Sequence, residues 1–105
     1  MYKVVRSADA VVRQIADNKS ANNLITKDIC PDISLTTTKA TDYYEQETTP
    51  YNRIYFVIEG EMELTVGGSS EMLLVGDACF LEKGTTYEMR GSFNAVTVNQ
   101  PAFGS

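Results

Sequence analysis

The sequence contains no histidine among its 105 residues, and this absence excludes several catalytic classes. A serine or cysteine nucleophile that is activated by histidine cannot form within one chain. A glycine-rich phosphate-binding loop is also missing, because the glycines after Val66 belong to a hairpin turn that no helix and lysine follow. Imidazole-based catalysis and loop-based phosphate binding are therefore not expected.

Long runs of one residue type are missing too. The net charge is −5 and no cluster of lysine and arginine occurs, so nucleic acid is not an expected partner. No apolar run approaches the ~20 residues that span a bilayer, and the N-terminal segment lacks the apolar core of a signal peptide. We therefore expect a cytoplasmic protein without a membrane partner. Its two cysteines, Cys30 and Cys79, are expected to be free and buried.

The composition that is present fits one folded domain. Hydrophobic residues make up 43% and charged residues 22% of the chain, ordinary values for a globular protein. We expect a single domain over residues 1–105, with a helical and strand extension over 1–30 and a barrel over 33–103. A domain of this size buries a modest core and often gains stability by self-association, so we also expect a homodimer.

Two periodicities divide the chain. Ala8, Val11, Val12 and Ile15 have helical spacing and follow Ser7, a plausible N-cap, so a short N-terminal helix is predicted. After Pro31 the period becomes two, and short segments rich in β-branched and aromatic residues alternate with glycine turns, including a tight bend at 59–60. The pattern predicts an all-β antiparallel sandwich or barrel.

Residues 76–91 have the spacing of a known motif, which reads Gly, five residues, Pro, one residue, Gly, two residues, His, three residues, Asn. The chain keeps every spacing and both glycines, Gly76 and Gly84, but carries Glu82, Tyr87 and Gly91 at the other three positions. With these turns and strands, the region from about residue 36 to 103 resembles the cupin superfamily. The resemblance implies a cupin-like jelly-roll β-barrel.

The family's earlier motif is His-x-His, three or four residues, Glu, six residues, Gly. Aligned on Gly60, the chain places Arg53 at the Glu position. The two histidine positions fall on Glu47 and Thr49, or on residues 46 and 48 with the longer spacer. All four usual metal ligands are therefore replaced, so the resemblance carries over the fold but not the metal chemistry, and no metal or other cofactor is expected.

An inward-facing Arg53 argues against a bound cation. Arginine cannot deprotonate, and a unit charge about 4 Å from another costs ~4 kcal/mol at an effective dielectric of 20. An anion is favoured instead. A metal site built from Glu45, Gln46, Glu47 and Tyr87 stays open as the least favoured alternative.

Strand alternation predicts which side chains face the interior. The predicted lumen has an apolar floor and a polar end, the latter formed by Arg53, Tyr55, Tyr87 and either Glu47 or Tyr44. The remaining side chains predicted to be internal are Val57, Met62, Leu64, Val66, Cys79, Leu81 and Met89.

The interior predicts a site for a small, anionic organic molecule, with Glu47, Arg53, Tyr55, Tyr87 and Met89 as ligand-binding candidates. Arg53 and Tyr87 are the catalytic candidates, because a guanidinium can stabilise an enolate and a phenol can act as a general acid. Binding without chemistry is preferred. A metal-free isomerase, lyase or cyclase is the alternative. Packing at the barrel rim, with Arg53 paired to Glu47 or Glu82, also stays open.

Overall fold

The computed structural model describes residues 1–105 and consists almost entirely of β-strands. The only helical element is a 3-10 turn at Ser7–Asp9. Seven strands follow: β1 (Val11–Ala16), β2 (Lys19–Ile25), β3 (Ser34–Thr48), β4 (Asn52–Val66), β5 (Ser69–Leu73), β6 (Ala78–Leu81) and β7 (Thr86–Gln100). No helix is long and apolar enough to cross a membrane.

All strand pairs are antiparallel, in the order β1-β2-β3-β7-β4-β5. Strand β4 pairs with β6 along its first half and with β5 along its second half. The edge strands β1 and β5 do not pair with each other, so the sheet is not closed. The expectation of a closed barrel is corrected in this respect.

The three central strands, β3, β4 and β7, each have 15 residues and cross the whole molecule. Their register shifts near the middle, between Ala40 and Tyr43 and between Val57 and Glu59. Such shifts bend strands and increase their twist. The two halves of the sheet therefore stack on each other, which explains how side chains of strand segments without backbone pairing can meet.

The core lies between the stacked halves. Val57 and Met62 of β4 and Met89 of β7 are fully buried within a cluster of 11 residues. Burial of one such side chain contributes about 1.5–3 kcal/mol. The alternation predicted for β4 and β7 is confirmed here, since Tyr55, Leu64 and Tyr87 belong to the same cluster, and so is the inward position of Leu81 on β6.

Three expectations about individual segments are wrong. The helix predicted from Ser7 is a single 3-10 turn, and Val11, Val12 and Ile15 lie on strand β1. Glu59-Gly60 is not a turn between two strands but an irregularity inside β4. Val66 is 39% exposed because it ends β4 at the turn, beyond the core.

The cysteines are unpaired, as predicted, but both are only half-buried. Cys79 packs against the core cluster from strand β6, where burial raises the pKa of its thiol. A thiol with a raised pKa is a weak nucleophile at neutral pH, so Cys79 has a structural role in this fold.

Candidate functional site

Arg53 is the centre of a buried polar network and is only 5% exposed. Its Nε donates to Oδ1 of Asn99 at 2.7 Å. Its Nη1 donates to Oε1 of Glu47 at 2.5 Å and to the hydroxyl of Tyr87 at 2.8 Å, with a longer contact of 3.4 Å to the hydroxyl of Tyr55. The guanidinium is therefore both ion-paired and held in a fixed orientation.

Strand pairing explains why these residues meet. Arg53 and Asn99 are direct partners in the β4–β7 ladder, and Tyr55 lies two residues further along the same face of β4. Glu47 and Tyr87 are direct partners in the β3–β7 ladder of the other half of the sheet. Stacking of the two halves places one pair over the other, with the Tyr55 and Tyr87 hydroxyls 2.8 Å apart.

Both tyrosine hydroxyls of the network hold their protons firmly. Burial, opposed by the charge of Arg53, raises the pKa of Tyr55 to about 12. Burial and the neighbouring Tyr55 raise the pKa of Tyr87 well above its usual range. Burial by itself would lower the pKa of Arg53, but the oxygens of Tyr55, Tyr87 and Glu47 outweigh this effect and raise it. At neutral pH the network therefore contains one fixed cation and two neutral phenols.

Next to this network is a cavity of about 290 Å³, which is lined by 12 residues, three of them hydrophobic. At roughly 30 Å³ per water molecule, this volume corresponds to about ten waters. Most of the lining residues are polar or charged, so the cavity adjoins the polar end of the predicted lumen and not its apolar floor. The lining residues are Arg13, Ile15, Lys19, Thr36, Thr38, Glu45, Glu47, Arg53, Tyr55, Thr97, Asn99 and Phe103.

The predicted ligand-binding residues divide into two groups. Glu47, Arg53 and Tyr55 line the cavity. Tyr87 does not line the cavity. Its hydroxyl contacts Arg53 and Glu47 from behind. Met89 is fully buried in the core cluster. Of the five predicted residues, only the first three are exposed to the cavity.

Two side chains at the edges of the predicted site lie elsewhere. Tyr44, named as an alternative to Glu47, is exposed and donates its hydroxyl to Glu88 at 2.6 Å, so it does not contribute to the polar end. Glu82 is exposed after β6, as its position before a turn predicts. The partner of Arg53 is accordingly Glu47 and not Glu82.

Sequence reasoning missed two cations of the cavity, Arg13 of β1 and Lys19 of β2. Lys19 forms an ion pair with Glu45, and Arg13 forms none. Both residues belong to the segment for which the apolar spacing predicts a short helix and the loop that ends it. On such a helix neither side chain would face the interior of the barrel. The signal that could have found them is strand alternation, which places Arg13 on the inner face of β1.

The donor set does not fit the divalent metal that cupins commonly hold. The carboxylates of Glu45 and Glu47 are each engaged by a cation, and Nη1 of Arg53 donates to both Glu47 and Tyr87. A metal ion there would face the fixed charge of Arg53 at close range. No group of three or more His, Cys, Asp or Glu side chains is suitably placed elsewhere.

The arrangement can donate hydrogen bonds to an anion, and the carboxylate of its network is ion-paired. Arg53 and the neutral phenol of Tyr55 are donors at the cavity wall. Glu47 is the only carboxylate in the network, and it accepts from both Arg53 and Tyr87. Both contacts use the same oxygen, Oε1, which fixes the carboxylate beside Arg53.

Comparison with known proteins gives one family and a set of structural neighbours. The family model described as EutQ-like cupin domain matches residues 36–98. No curated protein matches the sequence significantly.

Three solved structures illustrate the structural similarity. KdgF from Halomonas sp. has a TM-score of 0.85 and 13% identity over 99% of this chain and 97% of its own. The EutQ protein of Clostridium difficile has a TM-score of 0.76 and 18% identity over 96% and 76%. The polyketide cyclase RemF from Streptomyces resistomycificus has a TM-score of 0.80 and 19% identity over 95% and 80%. At these identities the neighbours show a shared fold only.

Proposed function

The chain belongs to the family of EutQ-like cupin domains, and on this basis we propose that it binds a small, anionic organic molecule in the cavity beside Arg53 without a resident metal. We further assign its two stacked half-sheets to the jelly-roll architecture of cupins. The location in the cytoplasm remains a prediction of the sequence.

The observation that supports this proposal is the balance of charges around the cavity. Three cations, Arg13, Lys19 and Arg53, line it together with two carboxylates, Glu45 and Glu47. Each carboxylate already has a cationic partner. One positive charge is left over, and an anionic group of a ligand would neutralise it in a partly desolvated place where pairing is favourable.

Binding without chemistry is preferred over catalysis because Glu47 is engaged by Arg53. The alternative is a metal-free isomerase, lyase or cyclase in which Arg53 stabilises a developing oxyanion, Tyr55 gives its proton to the substrate and takes one from Tyr87, and water afterwards returns a proton to Tyr87. The contact between the two hydroxyls favours this second function. A polyketide cyclase among the structural neighbours shows that this fold can host a cyclase.

The proposal predicts that small carboxylates stabilise the protein against heat. A ligand present at 100 times its Kd adds about 2.7 kcal/mol, which raises the Tm of a domain of this size by about 10 °C or more. Thermal shift with C3 to C7 monocarboxylates at 10 mM, beside the corresponding amides or neutral sugars, measures this. If no carboxylate raises the Tm more than its neutral counterpart does, the anion-binding function is refuted.

We also propose that the protein forms a homodimer through what we call the outer apolar face. Strand register aligns its side chains in two adjacent rows across β3, β7, β4 and β6. No charged residue occurs among them, so two copies of net charge −5 can meet there without opposing like charges. A two-fold axis lets one such patch cover itself. The rows are Leu35, Val98, Ile54 and Phe80, and Val96, Phe56 and Ala78.

Light scattering coupled to gel filtration tests the dimer. We expect about twice the chain mass of 11.6 kDa for the wild type. Phe80→Glu should give the monomer, because Phe80 is the most exposed large side chain of the patch, 62% exposed at its β6 end, and a charge covered by the partner there would be unpaired. Met72→Glu is the matched control, since Met72 is 47% exposed on β5, away from this face. A wild-type monomer at micromolar concentration would contradict the proposal.

A further inference from the structure

Arg13 lines the cavity without any polar partner in the protein. It makes neither of the two ion pairs of the chain, which belong to Lys19 and Arg53. Its Nε is fully buried and has no hydrogen-bond acceptor, the only such side-chain atom in the molecule. The large majority of buried polar atoms do find a partner, so this one requires an explanation.

The Arg13 guanidinium lies over an aromatic ring. Its Cζ lies 4.1 Å from the ring centroid of Phe103. The ring is held in place because the backbone N–H of Phe103 donates to Oγ of Ser34 at 2.9 Å and the ring packs against Tyr51. A guanidinium over an aromatic face gains a cation–π contact but no acceptor for its five N–H donors. The donors that point away from the ring remain available to a ligand.

Hydroxyl groups continue the cavity wall from Arg13 toward Arg53. Arg13 pairs across β1–β2 with Ala21, whose partner on β3 is Thr38. The three residues therefore lie in one row across β1, β2 and β3, with the small side chain of Ala21 between Arg13 and Thr38. Thr36, Thr38 and Thr97 form this part of the wall, and Thr38 and Thr97 make only a long contact of 3.5 Å with each other. The Thr36 hydroxyl donates to Oδ1 of Asn23 at 3.2 Å and can still accept, and one hydroxyl of the Thr38–Thr97 pair is free to donate. This combination suits a ligand that itself carries hydroxyl groups.

We propose that Arg13 anchors the carboxylate of the ligand and that the ligand is a short, hydroxylated monocarboxylate. This inference rests on the anion-binding function proposed above and assigns its charge recognition to Arg13 instead of Arg53. One carboxylate matches the one cation that has no partner. The threonine wall binds the hydroxyl groups, and Phe103 covers an apolar side of the carbon chain.

Titration of wild-type protein and variants with glycerate, threonate, gluconate and galacturonate tests the proposal by calorimetry. For the tightest of these, Arg13→Met should weaken binding about 10- to 100-fold, the range for a charged hydrogen-bonded contact. Arg13→Lys should recover part of the affinity, because it restores the charge without the planar fork. Arg90→Met is the matched control. Arg90 also lies over an aromatic ring, 5.0 Å from Tyr44, but outside the cavity, and its loss should leave binding unchanged.

The ligand-free variants separate recognition from structure. Because Arg13 has an unsatisfied donor and no ion pair, Arg13→Met should leave the Tm of the ligand-free protein unchanged or raise it. In the wild type, ligand addition should also shift the NMR resonance of the Arg13 Nε–Hε group, a measurement that needs no variant.

Each result has a distinct meaning. If a carboxylate binds the wild type but Arg13→Met binds it equally well, the Arg13 anchor is wrong and the anion-binding function stands. If no monocarboxylate of the panel binds the wild type while larger or non-hydroxylated acids do, the ligand class is wrong. If no acid binds at all, the proposed function itself fails. A large drop in the Tm of ligand-free Arg13→Met would assign Arg13 a structural role.

Discussion

Gly60→Ala should lower the free energy of unfolding by about 2 to 5 kcal/mol. Gly60 has a φ of +73°, which costs an L-residue about 1–2 kcal/mol. A Cβ atom at this position would lie 2.2 Å from the backbone oxygen of Ser92, and a carbonyl within a strand ladder cannot rotate away. Forcing an extra carbon into a packed site typically adds about 1–3 kcal/mol. For a small domain, this loss is a large part of total stability.

Gly76→Ala is the matched control for this prediction. Gly76 also has a positive φ, +91°, but a Cβ atom added there would have no other atom within 4 Å. Only the backbone strain applies, so a loss of about 1–2 kcal/mol is expected. Urea unfolding followed by tyrosine fluorescence measures both variants. Equal losses at the two positions would contradict the steric explanation for Gly60.

The contrast between these glycines shows what the motif positions do in the fold. Gly60 pairs with Phe93 where β4 passes from one half of the sheet to the other. Gly91, which stands at the motif's asparagine position, pairs with Met62 at the corresponding place on β7 and also has no room for a Cβ. The two glycines therefore permit the close approach of bent strands, whereas Gly76 belongs to a surface turn.

The faces of the long strands could be predicted from the sequence because period-two alternation depends only on local geometry. On β4, Arg53, Tyr55 and Val57 are buried, whereas Ile54 and Phe56 are exposed, as the alternation requires. The alternation fails at the strand end. By alternation Val66 should face the core, but the core does not extend to the turn that follows this residue.

The N-terminal segment could not be predicted correctly because its apolar positions fit two periods. Val11, Val12 and Ile15 have helical spacing, yet no helix face is buried, and Val11 and Val12 are exposed on an edge strand. Pairing of β1 with β2, a long-range property of the sheet, decides the outcome. The same error explains why Arg13 was missed as a cavity residue, because its inward orientation follows from strand alternation and not from a helical pattern.

The ion-pair partner of Arg53 could not be chosen from the sequence either. From the sequence pattern alone, both Glu47 and Glu82 are expected at the barrel rim near Arg53. The choice depends on the register of β3 against β7, which pairs Glu47 with Tyr87. This register depends in turn on the irregularity between Ala40 and Tyr43, and no local sequence pattern predicts that irregularity.

Glu47→Ala should lower the free energy of unfolding by about 3 kcal/mol. It leaves Arg53 charged and 5% exposed, and the raised pKa of its guanidinium prevents relief by deprotonation. Removal of one partner of a buried pair typically costs about 3–5 kcal/mol. The low end applies, because the Glu47 side chain is 35% exposed and Asn99 and Tyr87 still accept from Arg53. Urea unfolding is the measurement, and Glu82→Ala, at an exposed glutamate, should change stability by less than about 0.5 kcal/mol.

The double variant Arg53→Met/Glu47→Leu decides what the pair is for. Replacement of a buried ion pair by apolar residues of similar volume is often neutral or stabilising, although removal of one partner is costly. If the double variant is as stable as the wild type but no longer shows thermal shifts with carboxylates, the pair shapes the binding site and is dispensable for the fold. If the double variant is as unstable as Glu47→Ala, the network of Arg53, Asn99 and Tyr87 is a structural element, and ligand recognition depends on the other cations of the cavity.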